Sequence, residues 1–201
     1  MARASLAHVL GLDRSGPPPP ETLAGQPLRP WTVPNAIGFA RLALIPAFLV
    51  VGLADDDGRS AVAAVLFAVA GWGDYADGIA ARVTRQYSRL GALLDPLVDR
   101  LLVISGALVC LHHELLPRWA LAILLARELG MLAASRYALW RGSEIEINWP
   151  GRLAVAPVMG APFFAIASVG WLGETLLYVG LALALCASAL YLRRLRSGPS
   201  T

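Results

Sequence analysis

Long apolar stretches alternate with short polar connectors along most of this chain. A helix that crosses a bilayer needs about 20 mostly apolar residues, and six stretches come near that length. We place these spans at about 34–54, 60–83, 92–112, 116–140, 152–171 and 173–192. We expect a tight turn at Gly170 to Gly173 between the last two. Nothing alternates with the period of a strand. The pattern predicts an all-α, polytopic membrane protein, a bundle of six transmembrane helices.

The two ends of the chain differ from this apolar region. The stretch GPPPPE begins at Gly16, and a run of prolines cannot form the hydrogen-bond ladder of a helix. The opening residues also lack the apolar core and the cleavage site of a signal peptide. We therefore predict a proline-rich cytoplasmic tail at 1–31, a six-helix membrane domain at 32–194 and a short basic tail at 195–201.

Composition agrees with a membrane protein and points to anionic partners. Hydrophobic residues make up 57% of the chain and charged residues only 15%, far from the soluble average. All 17 basic residues are arginine, and the net charge is +3. An arginine stays protonated and can bind a phosphate through two donors at once. Lipid surfaces and phosphate-bearing substrates are the expected partners, and nucleic acid is not.

The distribution of arginines predicts an orientation in the membrane. Under the six-span arrangement only Arg59 and Arg118 fall on one side, and the arginines of the other connectors and of both tails fall on the opposite side. Because basic connectors stay in the cytoplasm, both termini are predicted to be cytoplasmic. We therefore expect a multi-pass protein of the cytoplasmic membrane with its active site facing the cytoplasm.

Four aspartates lie beside the second and third spans. Asp74 and Asp77 are three residues apart, and Asp95 and Asp99 are four apart, so each pair projects from one face of a helix. Carboxylates held close together must keep protons or be neutralised by cations. All-oxygen ligands favour Mg²⁺ or Mn²⁺, and four carboxylates suffice for two ions.

Small residues and an arginine accompany these carboxylates. Gly78, Ala81 and Gly91 lack bulky side chains, so a ligand could approach the backbone there, and Arg82 could bind a phosphate. Carboxylates, metal ions, space and arginine together describe a diphosphate site. The chemistry expected there is phosphoryl-type transfer, in which an aspartate takes a proton from the attacking hydroxyl.

The complete pattern resembles the signature of the CDP-alcohol phosphotransferase family. It is written Asp74-x2-Asp77-Gly78-x2-Ala81-Arg82-x8-Gly91-x3-Asp95-x3-Asp99, with eight fixed positions over 26 residues and no gap. The resemblance covers nearly the whole chain after residue 31. It implies a six-helix membrane bundle, often a homodimer, that displaces CMP from a CDP-linked lipid or alcohol with a hydroxyl acceptor.

The resemblance also implies the roles of individual residues. Asp99 would be a metal ligand and the general base. The other metal ligands would be Asp74, Asp77 and Asp95. The residues at the CDP moiety would be Asp77, Gly78, Ala81, Arg82 and Gly91. We expect direct in-line attack, because no Ser, Cys or His is placed as a covalent relay.

Pro96 departs from a simple helical pattern, because proline disfavours helical geometry in the residue before it. If the third helix begins near Leu94, Pro96 lies in the first turn, where a missing amide donor is harmless. The spacing of Asp95 and Asp99 is preserved in that arrangement.

Three further arginines are candidates for binding the acceptor or a phosphate: Arg41, Arg127 and Arg152. Arg41 lies in TVPNAIGFARLALIP, which is similar to the first helix of the branch that consumes CDP-diacylglycerol. Its alternative role is to extend toward the lipid headgroups. Arg127 lies inside the apolar fourth span, and its neighbour Glu128 is either a partner or a functional acid.

The acceptor is predicted from two segments. SRLGALLDPLVDRLL is similar to the family's cardiolipin synthases, whose acceptor is phosphatidylglycerol. The family's glycerol-3-phosphate enzymes carry Gly-Lys-x-Lys-Thr where this chain has Gly151-Arg152-Leu153-Ala154-Val155. We therefore favour cardiolipin synthesis from CDP-diacylglycerol, with phosphatidylglycerophosphate synthesis as the alternative. A cation or proton transporter is a remote alternative that leaves the glycine spacings unexplained.

Small residues recur in the last two spans. Gly160, Ala161, Gly180 and Ala182 suit either close packing between these helices or a dimer face. The sequence leaves both alternatives open.

Overall fold

The computed structural model of the chain describes residues 19–23, 25–140 and 149–197. The long helices are α1 (Val33–Ala54), α2 (Ala61–Thr84), α3 (Arg89–His112), α4 (Arg118–Trp140), α5 (Trp149–Ile166) and α6 (Gly170–Ser197). A 3-10 helix at Pro20–Thr22 precedes them. These ranges contain no strand, so the all-α prediction is confirmed for the described residues. Most of the predicted proline-rich tail, and residues 198–201 of the C-terminal tail, lie outside them.

Three of the described helices are long and apolar enough to cross a membrane. They are Val33–Ala54, Ala61–Thr84 and the part of α6 from Gly170 to Leu190. The apolar part of α5, Leu153–Ile166, is shorter. The prediction of six helices is confirmed, whereas the prediction that all six span the membrane is not. Helices α3 and α4 carry charged groups along their length, among them Asp95, Asp99, Arg127 and Glu128.

Helix α3 begins earlier than the sequence pattern indicated. Ser88 caps it, because the backbone N–H of Gly91 donates to Ser88 Oγ at 3.0 Å. Pro96 therefore lies inside the helix and not in its first turn, so the predicted position of Pro96 is wrong. Because proline has no N–H, Ala92 receives no helical hydrogen bond from residue 96. The interval between Asp95 and Asp99 is still one helical turn, as predicted.

The turn between α5 and α6 also lies elsewhere than predicted. Helix α5 ends at Ile166, and Ser168 has a φ of 67°. The N–H of Val169 donates to the carbonyl of Phe164 at 2.8 Å, which closes the helix in the manner of a Schellman motif with serine at the position glycine usually takes. The prediction of a turn at Gly170 to Gly173 is wrong, because both glycines belong to α6.

The chain divides into two compact units. One comprises Met1–Ala47 and Leu66–Leu102, and the other comprises Phe48–Val65 and Val103–Thr201. Helices α1, α2 and α3 each contribute residues to both. The first unit contains the four aspartates, and its buried apolar residues include Ile45, Phe67, Leu94, Val98 and Leu102.

Within the second unit, glycines allow α5 and α6 to pack closely. A Cβ on Gly173 would lie 2.8 Å from the carbonyl oxygen of Ala161, and one on Gly180 would lie 2.9 Å from the backbone nitrogen of Val158. A Cβ on Gly160 would lie 3.0 Å from a methyl group of Leu176. The prediction of close helix packing is therefore confirmed at Gly160, Ala161 and Gly180, and the dimer face stays a prediction.

We expect Gly180→Ala to destabilise the protein by about 1–3 kcal/mol, because the new methyl group meets backbone atoms that cannot turn away. Gly130→Ala in α4 is the matched control. A Cβ there meets nothing within 4 Å beyond its own stretch of helix, so alanine should be neutral or stabilising by about 0.5–1 kcal/mol. Thermal unfolding of the purified protein in detergent measures both changes. Equal unfolding temperatures for the two variants would contradict the packing described here.

Candidate active site

The aspartates of α2 and α3 meet around a single arginine of α1. Asp74 and Asp77 lie in the C-terminal half of α2, and Asp99 lies near the middle of α3. The guanidinium of Arg41 forms ion pairs with all three, at 3.4 Å to Asp74 Oδ1, 3.0 Å to Asp77 Oδ2 and 2.5 Å to Asp99 Oδ1. The structure thus brings together three of the four carboxylates that the sequence grouped.

Arg41 is almost completely enclosed by these contacts. Its side chain is 2% exposed, and its Nε donates to the carbonyl oxygen of Ala70 at 2.9 Å. A buried guanidinium needs such partners, because an unpaired charge away from water is very costly. The alternative in which Arg41 extends toward the lipid headgroups is therefore wrong, since its charge is directed into the acidic cluster.

The fourth aspartate belongs to the same electrostatic environment. Asp95 precedes Asp99 by one turn of α3 and interacts electrostatically with Asp74, Asp77, Asp99 and Arg41. We refer to Asp74, Asp77, Asp95 and Asp99 as the acidic cluster. All four side chains, and Arg41, lie within one compact unit.

The carboxylates that pair with Arg41 differ in their exposure. The Asp74 side chain is 50% exposed and that of Asp99 is 29% exposed, whereas that of Asp77 is only 6% exposed. Asp74 therefore lies at the open edge, and Asp77 lies at the buried end. A ligand that reaches the cluster from outside meets Asp74 first.

Gly73 makes room for the arginine. A Cβ at this position would lie 2.6 Å from both Cγ and Cδ of Arg41, closer than real Cβ contacts come. The absence of a side chain at Gly73 lets the stem of Arg41 lie against the backbone of α2. Sequence analysis missed this function of Gly73, because nothing in the local pattern shows that a side chain from α1 passes there.

The donor set of the acidic cluster fits a hard divalent cation. Carboxylate oxygens are the ligands that Mg²⁺ and Mn²⁺ prefer, and the oxygens here already surround one cation, the Arg41 guanidinium. In the conformation of the described side chains, no group of three or more His, Cys, Asp or Glu residues is arranged to hold a metal ion. A metal ion at the acidic cluster would compete with Arg41 for the same carboxylate oxygens.

Of the predicted CDP-binding residues of α2, Gly78, Ala81 and Arg82 are partly exposed, whereas Asp77 is buried. The terminal nitrogens of Arg82 lie 3.4 and 3.8 Å from the position of a Cβ on Gly78, one helical turn earlier. The arginine thus lies over the glycine, with Ala81 half-buried beside it. The assignment of these residues to CDP binding stays a prediction.

Gly91 is surrounded differently from what the sequence suggested. A Cβ there would lie 2.8 Å from Asn35 Oδ1 and 3.2 Å from Ser88 Oγ, so side chains of the protein fill the space that we had left for a ligand. Ser88 Oγ donates to Asn35 Oδ1 at 2.9 Å, and Asn35 Nδ2 donates to the carbonyls of Arg29 and Pro30. Asn35 therefore joins the start of α1 to the start of α3. The assignment of Gly91 to CDP binding stays a prediction.

The second unit holds the other predicted acceptor residues. Arg127 pairs with the buried Glu128 through Nη1 and with Ser188 Oγ through Nε, at 3.4 Å for the latter. The structural pairing considered for Glu128 is thus present, and phosphate binding by Arg127 stays a prediction. The side chain of Arg152 lies outside the described residues.

We expect Gly91→Ala to destabilise the protein by about 1–3 kcal/mol, because the methyl group would displace Asn35 from its hydrogen bonds. Gly78→Ala serves as the control on α2, since its methyl group makes only an ordinary contact with the flexible end of Arg82. Thermal unfolding of both variants in detergent tests the difference. A Gly91→Ala protein as stable as Gly78→Ala would contradict the tight packing at Asn35.

The chain is similar to known proteins over most of its length. The family model described as CDP-alcohol phosphatidyltransferase matches residues 31–186. Over 125 residues the chain is 42% identical to a Mycobacterium tuberculosis protein named "Putative cardiolipin synthase", covering 61% of this chain and 58% of that protein. The chain thus spans less than two thirds of that relative's length.

Two further relatives carry different names. A Streptomyces coelicolor protein named cardiolipin synthase (CMP-forming) is 34% identical over 166 residues, which cover 80% of this chain and 77% of that protein. A Bacillus subtilis protein named CDP-diacylglycerol–glycerol-3-phosphate 3-phosphatidyltransferase is 31% identical over 135 residues, covering 61% of this chain and 70% of that protein. Because the family model matches well over half of its length, the chain belongs to the CDP-alcohol phosphatidyltransferase family.

Proposed function

We propose that this protein transfers a phosphatidyl group from CDP-diacylglycerol to the free hydroxyl of phosphatidylglycerol, forming cardiolipin and releasing CMP. The observation that carries the proposal is the convergence of carboxylates from α2 and α3 on one buried cation. Such carboxylates could bind divalent cations, and those cations would neutralise the diphosphate of a substrate. Membership of the family makes a CDP-linked lipid the natural donor.

The residues of the acidic cluster would hold one or two Mg²⁺ or Mn²⁺ ions. When bound, these ions would neutralise charge on the diphosphate oxygens of the donor. Arg82, which lies over Gly78 at the end of α2, would contact the same diphosphate. The acyl chains of the donor would remain in the lipid, consistent with three described helices that can cross a membrane.

Asp99 would act as the general base. It would take the proton from the acceptor hydroxyl while that oxygen forms a bond to the β-phosphorus of the donor. The bond between this phosphorus and the bridging oxygen breaks, and CMP leaves with the electron pair. Arg41 binds Oδ1 of Asp99 and keeps the carboxylate oriented, and the carboxylate has a second oxygen that can receive the proton.

Two observations favour phosphatidylglycerol as the acceptor. The relatives at 42% and 34% identity are named cardiolipin synthases. In addition, the residues after Arg152 are Leu153, Ala154 and Val155, so the second basic residue of the glycerol-3-phosphate motif is absent. A lipid acceptor with a phosphodiester needs less positive charge than a free phosphate monoester.

Phosphatidylglycerophosphate synthesis is the second candidate, because the Bacillus subtilis relative is named for that activity. It uses the same donor and the same acidic cluster and differs only in the acceptor. We further expect a homodimer in the cytoplasmic membrane with its active site facing the cytoplasm, as the resemblance and the arginine distribution imply.

We expect the purified full chain, given CDP-diacylglycerol with Mg²⁺ or Mn²⁺, to make cardiolipin when phosphatidylglycerol is supplied. Each acceptor is offered separately, and the lipid product is identified by mass spectrometry together with released CMP. Product formation only with glycerol 3-phosphate would replace the first candidate by the second. Release of no CMP with either acceptor would contradict both.

We expect Asp77→Asn to lower the rate of CMP release by at least about a hundredfold, because it removes a buried charge from the centre that stabilises the transferring phosphoryl group. The matched control is Asp57→Asn in the connector after α1. Asp57 is also ionised, since the backbone N–H of Arg59 donates to it and lowers its pKa. The control should keep the full rate. An Asp77→Asn protein with unchanged activity would contradict the assigned site.

A further inference from the structure

Besides orienting Asp99 in the proposed reaction, Arg41 affects the acidic cluster in a second way. It is a permanent cation, held at the point where divalent ions would bind. We infer that Arg41 is an internal counter-cation of the acidic cluster: it holds the carboxylates together in the absence of divalent ions and competes with those ions for the same oxygens. This inference rests on the proposed function, because it concerns the metal site assigned there.

The first argument is mutual dependence. Carboxylates from two helices repel each other when they are brought together, and a buried guanidinium is unstable without anionic partners. In this structure Arg41 supplies the positive charge for Asp74, Asp77 and Asp99, and they supply its partners. The cluster can therefore form before any ion binds.

The second argument is that Arg41 cannot easily leave. Its Nε is bound to the carbonyl of Ala70, and its stem lies in the gap that Gly73 leaves on α2. A divalent ion that takes oxygens of Asp77 or Asp99 would consequently lie close to a fixed positive charge. Like charges at such distances repel, so the presence of Arg41 should weaken ion binding.

The third argument is reciprocity. If Arg41 weakens the binding of an ion, the ion must weaken the hold of the cluster on Arg41 by the same factor. A variant without the charge should therefore show two linked effects. It should lose stability when ions are absent, and it should bind ions more tightly than the parent protein. An arginine with only a packing role would produce the first effect without the second.

The test compares Arg41→Gln with the parent protein, using the full chain in detergent. Binding of Mn²⁺ is measured from the electron paramagnetic resonance signal of the free ion, and thermal unfolding is followed by tryptophan fluorescence in EDTA and in excess Mn²⁺. We expect Arg41→Gln to unfold at a lower temperature in EDTA, to bind Mn²⁺ about tenfold more tightly, and to recover more of its stability in Mn²⁺ than the parent gains.

Two companion variants refine the comparison. Arg41→Lys keeps the charge and should bind Mn²⁺ with nearly the parent affinity. Arg118→Gln removes an arginine whose exposed ion pair with Glu114 lies in the second unit, and it should change neither measurement. If Arg41→Gln does not fold, Gly73→Ala takes its place. Its methyl group displaces the stem of Arg41 and should also tighten Mn²⁺ binding.

The outcomes separate this inference from the proposed function. If the parent binds Mn²⁺ and releases CMP but Arg41→Gln binds Mn²⁺ no more tightly, the counter-cation role is overturned and the function stands. The same holds if Gly73→Ala must be used and leaves the affinity unchanged. If the parent protein neither binds Mn²⁺ nor releases CMP, both the inference and the proposed function fail.

Discussion

The ion pairs between Arg41 and the aspartates of α2 and α3 are the interaction on which the first unit depends. They join three helices at one buried point, where neither the arginine nor the carboxylates would be stable alone. Removing one member of a buried charge network typically costs about 3–5 kcal/mol, because the remaining charges lose their compensation. The same constraint fixes the chemistry. Because Arg41 already holds the carboxylate oxygens close together, these oxygens are positioned to bind a divalent cation.

Close approach of backbones is the second recurring theme. Gly73 admits the stem of Arg41, and Gly91 admits the side chain of Asn35. In the other unit Gly173 and Gly180 allow α5 and α6 to touch through their backbones. Glycine is unfavourable inside helices, and its use here follows from contacts for which a methyl group is too large. The stability of each unit thus depends on positions that carry no side chain.

The sequence predicted the helices and the acidic cluster well, for identifiable reasons. Apolar length locates a helix, and spacing by three or four residues places two aspartates on one face, so both features are encoded locally. The partner of the aspartates is not encoded in this way. Arg41 is more than 30 residues from Asp74 along the chain, and its direction depends on how α1 packs against α2.

The wrong predictions concern the positions at which helices begin and end. Gly170 and Gly173 were expected to form a turn because glycine is common in turns, yet both lie within α6, where Gly173 packs closely against α5, and Ser168 forms the end of α5. The cap at Ser88 was available in the sequence as a serine before an apolar periodic segment, and it would have placed the start of α3 correctly. Length alone predicted that α3 and α4 span a membrane, yet they are not among the three described helices that are long and apolar enough, and both carry charged residues.

Pro96 has a mechanical consequence for the acidic cluster. It lies directly after Asp95 and within the turn that ends at Asp99, and its ring leaves the carbonyl of Ala92 without its usual amide partner. A helix bends most easily where one of its backbone hydrogen bonds is missing. The parts of α3 that carry Asp95 and Asp99 can therefore tilt slightly relative to each other. Helix α2 contains no proline, so Asp74 and Asp77 are held on a stiffer helix.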